Sequence, residues 1–155
     1  MSYTLLVVDM QRGFLRNFRD DDDADNVVNG VQEAVSQAVK DNAEIIDLNY
    51  DYAHASYGPT IAPIRHLWRS YKKENPGKVK KVTKNHDGGG HEVLAAEPAH
   101  DNIRVCGINL GACVKETVKE IMANSHFEVE IIEEAVANSW GGVEDDLYQF
   151  EEILI

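Results

Sequence analysis

The sequence has few cysteines, a deficit of basic residues and no long apolar run, and each shortage excludes something. Its two cysteines, Cys106 and Cys113, lack the spacing of a disulfide framework. They point to a reducing compartment rather than a stapled, secreted fold. No apolar run approaches the roughly 20 residues of a membrane span. Fifteen Lys and Arg face 27 Asp and Glu, for a formal net charge of −12. Nucleic acid and anionic membrane both reward a basic face, so neither is expected as a partner. The substrate's charge stays open, because one basic group in a pocket can outweigh a distant acidic surface. The chain enters an apolar run at once and meets an acid at Asp9, the pattern of a first core strand and not of a signal peptide. A length of 155 residues predicts a single domain over 1–155, and the expected location is cytoplasmic.

Five strands are legible. Leu5–Val8 is apolar throughout, as in a strand buried on both faces of a parallel sheet. Glu44–Tyr50, Lys78–Thr83, Ile103–Gly107 and Glu128–Ile132 follow. Between them lie helical stripes. Val27, Val28, Val31, Ala34, Val35 and Ala38 share one face, with Asp25 or Asn26 as the expected cap. A helix opened by Pro63 carries Ile64, Leu67, Trp68 and Tyr71 and stops at Asn75-Pro76-Gly77. Val114, Val118, Ile121 and Met122 mark a third helix. Val143, Leu147, Phe150, Ile153 and Leu154 mark the last. The alternation predicts an α/β fold, a three-layer α/β/α sandwich around a Rossmann-like parallel sheet.

Several polar clusters invite a functional reading. The run Asp20-Asp21-Asp22-Asp23 is expected to be a solvated loop, since neighbouring carboxylates rarely converge on one ion. Asp51 and His54 are too few for a metal and fit no metal spacing, so a polar loop is expected there. Gly88-Gly89-Gly90 allows close backbone approach to a ligand or a flexible loop; no Walker-type residues follow it. His86 and His91 read as exposed loop residues, with ligand or base roles as the alternative.

The stretch from Val105 to Thr117 carries the most chemistry. It ends a buried strand, turns at glycine and opens a helix with Cys113, where the dipole and free N–H groups favour thiolate. Asp9, Lys84 and Cys113 each follow a strand, and in a parallel sheet those ends share one edge. Cys113 would attack a carbonyl carbon, Lys84 would depress the thiol pKa, and Asp9 would carry the proton to the leaving amine. Backbone N–H groups of Ala112 and Cys113 would form an oxyanion hole. The alternatives are a packed cysteine and an Asp9–Lys84 ion pair that merely closes the sheet edge.

These residues resemble the isochorismatase-like cysteine hydrolases, which include nicotinamidases and N-carbamoylsarcosine and ureidoacrylate amidohydrolases. The likeness lies in Leu6-Val7-Val8-Asp9-Met10-Gln11-Arg12-Gly13-Phe14, in Val82-Thr83-Lys84, and in Val105 to Thr117. It implies a six-stranded parallel sheet, an Asp9-Lys84-Cys113 triad, a cis peptide just ahead of Ala112-Cys113, and a homo-oligomer. The sixth strand has no obvious place in the sequence. Three departures narrow the reading. Asp51 and His54 are out of register with the nicotinamidase Asp-x-His metal motif, so neither metal nor cofactor is expected. Gly88-Gly89-Gly90-His91 replaces the usual small residue and phenylalanine, which should reshape the pocket, and the chain is short for the family. Isochorismatases proper lack the cysteine, so Cys113 argues against vinyl-ether hydrolysis. The expectation is a hydrolase cleaving a C–N bond of a small amide or ureido compound, with Gln11, Phe14, Tyr50 and His54 lining the pocket. A binding or regulatory homologue without turnover is the alternative; a thiol redox protein is weaker, since Cys106 lies in a core strand.

Overall fold

The computed structural model describes residues 2–51 and 56–155. Five strands, β1 (Thr4–Val8), β2 (Glu44–Tyr50), β3 (Val79–Lys84), β4 (Asn102–Ile108) and β5 (Glu128–Ala137), form one parallel sheet in the order β3-β2-β1-β4-β5. Successive side chains of a strand point to opposite faces, and the apolar run of β1 therefore serves two cores. Leu5 and Val7 pack with α2 (Asp21–Lys40) and α3 (Ala62–Glu74). Leu6 and Val8 pack with α4 (Gly90–Ala95) and α5 (Lys115–Asn124) on the other side. The result is the expected three-layer α/β/α sandwich. A short α1 (Arg12–Leu15) follows β1, and α6 (Glu144–Gln149) with a 3-10 turn at Glu151–Ile153 closes the chain. No described helix is long and apolar enough to cross a membrane.

The strand order reverses between β1 and β4, because β2 and β3 extend one way and β4 and β5 the other. Ligands of open α/β sheets gather in the crevice at such a point. Gly107 makes this junction possible. Its φ is +120°, and a Cβ there would overlap the Val8 carbonyl oxygen and lie 2.7 Å from the Val8 nitrogen. Gly107→Ala is expected to cost about 3 kcal/mol or more in a urea melt. Gly77→Ala, also at positive φ but in open space, is expected to cost only about 1 kcal/mol.

Five expectations change. Helix α2 begins at Asp21, so Asp25 and Asn26 lie inside it. The cap is Asp20, whose Oδ1 accepts from the N–H groups of Asp22 (2.8 Å) and Asp23 (3.4 Å). Asp21, Asp22 and Asp23 thus occupy the first turn, where the helix dipole favours negative charge. The glycine run is no flexible loop either: Gly88, Gly89 and Gly90 are buried, and Gly90 opens α4. A Cβ on Gly90 would overlap Cβ of Glu120, so the glycines let α4 sit on α5. Strand β5 runs on through Glu133 to Ala137, with a register shift against β4 between Val105 and Gly107. The cis peptide is at Ile108–Asn109, upstream of its expected place. The sixth sheet position is touched only by the chain's last described residues. Leu154 bridges Ile131 in parallel, and the Ile155 N–H donates to the Ile131 carbonyl at 2.9 Å.

Candidate active site

Asp9, Lys84 and Cys113 converge at the carboxyl edge of the sheet. Asp9 follows β1 directly, and its backbone takes a left-handed conformation, φ 53°, which aspartate tolerates better than most residues. Its N–H donates to the Leu48 carbonyl at 2.9 Å, which pins it to the end of β2. Lys84 is the last residue of β3 and reaches past β2 to Asp9, Nζ to Oδ2 3.0 Å, with both side chains essentially excluded from solvent. The remaining two ammonium protons go to the carbonyls of His86 (3.1 Å) and Asp87 (3.0 Å). All three donors of the lysine are therefore spent. Gly89 makes this wrap possible: a Cβ on it would stand 2.7 Å from Cδ of Lys84. The ammonium also lies 4.3 Å from the centre of the Tyr50 ring.

The other Asp9 oxygen, Oδ1, is buried without a well-formed hydrogen bond. The Cys113 thiol is a neighbour of the Asp9 carboxyl. Burial pushes the Asp9 carboxyl above its ordinary value, and Lys84 pulls the other way. Burial and then the Asp9 charge push the Cys113 thiol up, against the weaker pull of Lys84. Both effects oppose the expected thiolate and favour the protonated sulfur. The reason is position, since Cys113 is only 5 % exposed. It sits inside a π-helical turn (Leu110–Val114), not at the opening of a regular helix.

One of the two expected oxyanion donors is engaged. The Ala112 N–H donates to the Asn109 carbonyl at 3.1 Å, an oxygen that also accepts from Val114 at 3.1 Å. The loop is braced from β5's far end by residues the sequence did not single out. Asn138 Oδ1 accepts from the Gly111 N–H (2.9 Å), Asn109 Oδ1 accepts from the Ser139 N–H (2.8 Å), and Asn138 Nδ2 donates to Asp146 (2.7 Å). A Cβ on Gly111 would crowd Asp146 at 2.6 Å and Trp140 at 2.9 Å. The only sequence signal for this brace is the polar turn that follows the last strand.

Asp87 is a second residue missed from sequence. Its Oδ1 faces the Cys113 Sγ at 3.9 Å while its side chain is exposed. Of the expected pocket residues, Gln11 is 1 % exposed and acts as a clamp. Its Nε2 donates to the carbonyls of Tyr50 (3.0 Å) and Gly58 (2.7 Å), and its Oε1 accepts from the Tyr50 N–H (2.8 Å). Phe14 stacks on Tyr57 with centroids 4.2 Å apart, and Tyr50 meets Tyr57 edge-on at 5.5 Å. His54 lies outside the described residues. Among the described residues no group of three or more His, Cys, Asp or Glu side chains converges as metal ligands would. His86 and His91 stand at the surface near Glu92 (3.6 Å) and Glu120 (3.3 Å). A cavity of about 350 Å³ beside the clamp is lined by Gln11, Asn49, Tyr50, Tyr57, Lys81 and Thr83 among others. Neither this cavity nor a larger groove of about 760 Å³ between Met122 and Tyr148 is lined by Asp9, Lys84 or Cys113.

Cys106 and Cys113 are both free and pack in different layers, on opposite faces of the sheet. That separates them as a redox pair.

No model of a known protein family matches the sequence, and no curated protein matches it. Solved structures do resemble the fold. A nicotinamidase from Staphylococcus aureus superposes with a TM-score of 0.75 at 17% identity, over 96% of this chain and 91% of that one. A pyrazinamidase/nicotinamidase from Streptococcus mutans gives 0.74 at 15% identity, over 99% of both chains. An isochorismatase-like hydrolase from Alkaliphilus metalliredigens gives 0.75 at 13% identity, over 100% of this chain and 94% of that one. At such identities the likeness establishes the fold.

Proposed function

We propose that the protein is an isochorismatase-like cysteine hydrolase that cleaves a C–N bond of a small amide or ureido compound through a thioester at Cys113. One observation carries the reading: a buried carboxylate is fixed through one oxygen by Lys84, its other oxygen has no well-formed hydrogen bond, and the Cys113 thiol interacts with it. Structural ion pairs are normally satisfied at both ends. An acceptor left open next to a nucleophile is what general-base catalysis needs.

In the first half-reaction, Asp9 takes the Sγ proton as sulfur bonds to the carbonyl carbon. The tetrahedral oxyanion is held by the backbone N–H of Cys113, since those of Gly111, Ala112 and Val114 are engaged. Collapse breaks the C–N bond, and the proton on Asp9 passes to the departing nitrogen. In the second half-reaction Asp9 takes a proton from water, the hydroxide oxygen attacks the thioester, and the proton returns to sulfur. Lys84 has no free donor for the substrate. Its part is to fix Asp9 and to keep that site's field favourable to negative charge. Phe14, Tyr50 and Tyr57 supply an apolar wall next to the Asp9–Lys84 pair. A homo-oligomer, with a neighbouring copy completing the pocket, belongs to the same reading.

The test is to trap the intermediate. Acid-quenching the enzyme during turnover of a panel of primary amides and ureido acids should give a mass increase equal to the acyl group on the peptide carrying Cys113. Ligand recovered unchanged, with no adduct and no ammonia released across the panel, would leave the binding homologue as the better reading.

A further inference from the structure

Asp87 has no part in the chemistry just described, yet its position is built. Its carbonyl is held at 3.0 Å by the same ammonium that holds Asp9, so its backbone and the Asp9 carboxylate are registered through one group. Its side-chain Oδ1 then stands 3.9 Å from Sγ of Cys113. Among the described residues no lysine, arginine or histidine pairs with this carboxylate. The nearest ammonium, Lys84, has spent its donors. The formal charges at the nucleophile are Asp9 −1, Asp87 −1 and Lys84 +1, a sum of −1. The exposed Asp87 carboxylate, whose Oδ1 accepts from the Cys113 thiol, thus stands beside the sulfur without a cationic partner. Tyr50 completes the surroundings: its ring centre lies 4.3 Å from the Lys84 ammonium, and burial, then the Asp87 charge, pushes its hydroxyl pKa up. Aromatic walls with an unpaired carboxylate suit a cation.

We infer that Asp87 is a specificity-determining residue that selects substrates bearing an ammonium, amidinium or guanidinium group and disfavours carboxylated ones. The inference rests on the hydrolase reading of Cys113, but its test needs no turnover.

The folded full-length chain is treated with two methanethiosulfonates, one carrying a 2-aminoethyl group and the other a 2-sulfonatoethyl group. Each reacts alike: the cysteine sulfur bonds to the reagent's sulfenyl sulfur, methanesulfinate leaves, and the thiol proton goes to solvent. Rates at Cys113 are read by peptide mass spectrometry, each divided by the reagent's rate with 2-mercaptoethanol. A charge about 4 Å away in water changes each rate about fivefold, in opposite directions for the two reagents. Wild type is therefore expected to favour the cation about tenfold or more at low ionic strength. Asp87→Asn should lower that ratio on the order of tenfold, Asp87→Glu should keep it, and 1 M salt should compress it. Any change in thiol acidity cancels in the ratio. A wild-type ratio at or below one, an Asp87→Asn ratio within twofold of wild type, or Cys113 unlabelled by both reagents in the folded protein would each overturn the inference. Since trapping the acyl-enzyme is a separate measurement, a cation preference without an acyl-enzyme would sink the hydrolase reading and leave Asp87's selectivity standing.

Discussion

Cys113→Ala is expected to lower turnover of any amide substrate by about 10⁴-fold or more, with little change in fold. Removing a covalent nucleophile deletes the thioester path, and what survives is binding and the oxyanion donors acting on water; losses in comparable enzymes are of this order or larger. The stability cost should stay near 1 kcal/mol, because a single sulfur atom is removed. Cys106→Ala is the control. That sulfur is fully buried in the other layer, with its thiol pushed up by burial alone, so the variant should lose stability and keep its turnover. Initial rates of ammonia release and a thermal melt separate the two outcomes. Equal losses of activity in both variants, tracking their melting temperatures, would show that Cys113 is only packing.

Lys84→Met should be damaging in two measurable ways. The Asp9–Lys84 pair is buried at both ends, and taking away one partner leaves an uncompensated charge, at a cost of about 3–5 kcal/mol. The carboxyl of Asp9 escapes by staying protonated, which removes the base. The direction with pH follows. Burial already holds Asp9 above its ordinary value of about 3.9, so the acid limb of kcat/KM in wild type should lie above pH 4. Activity is present above that limb and is lost as pH falls through it. Without Lys84 the limb should move further up, and kcat/KM at neutral pH should drop by about 10²-fold or more. The alkaline limb should lie above the usual thiol value of about 8.5, because burial and the Asp9 charge favour the protonated sulfur. The double variant Asp9→Asn with Lys84→Met should be more stable than Lys84→Met alone while remaining inactive. If the single variant kept its acid limb and melting temperature, the pair would not be a coupled buried unit.

The strands were legible because burial on two faces writes itself as continuous apolar runs, and β1 and β4 are the plainest cases. Placing Asp9, Lys84 and Cys113 together needed only the parallel sheet, which brings all strand ends to one edge. Their protonation was less accessible. A helix-opening cysteine suggested a thiolate, whereas burial in the π-helical turn and the Asp9 charge push the Cys113 thiol pKa up. The glycine run concealed α4, since three residues of low helix propensity mask a close approach that only tertiary packing on Glu120 reveals. Asp20's capping role was hidden by the four equivalent carboxylates around it. Asp87 and the Asn138–Asp146 brace act through distances between segments remote in sequence, and no spacing rule records those.

The Gln11 clamp has a consequence for how such a chain can diversify. The Gln11 amide meets the N–H and carbonyl of Tyr50 as a neighbouring strand residue would, and Gln11 also bridges Thr60. Gly13 holds the Tyr57 carbonyl at 3.0 Å, and the Asp51 N–H holds the Lys84 carbonyl at 2.6 Å. The chain leaving β2 and the chain returning towards α3 are thus each fastened to the same rigid frame, independently of whatever sequence joins them. That makes the intervening stretch a cassette. Exchanging it for one of another length or polarity should retune which molecules are admitted while Asp9, Lys84 and Cys113 stay in register, the kind of modularity from which new specificities are recombined on an old scaffold.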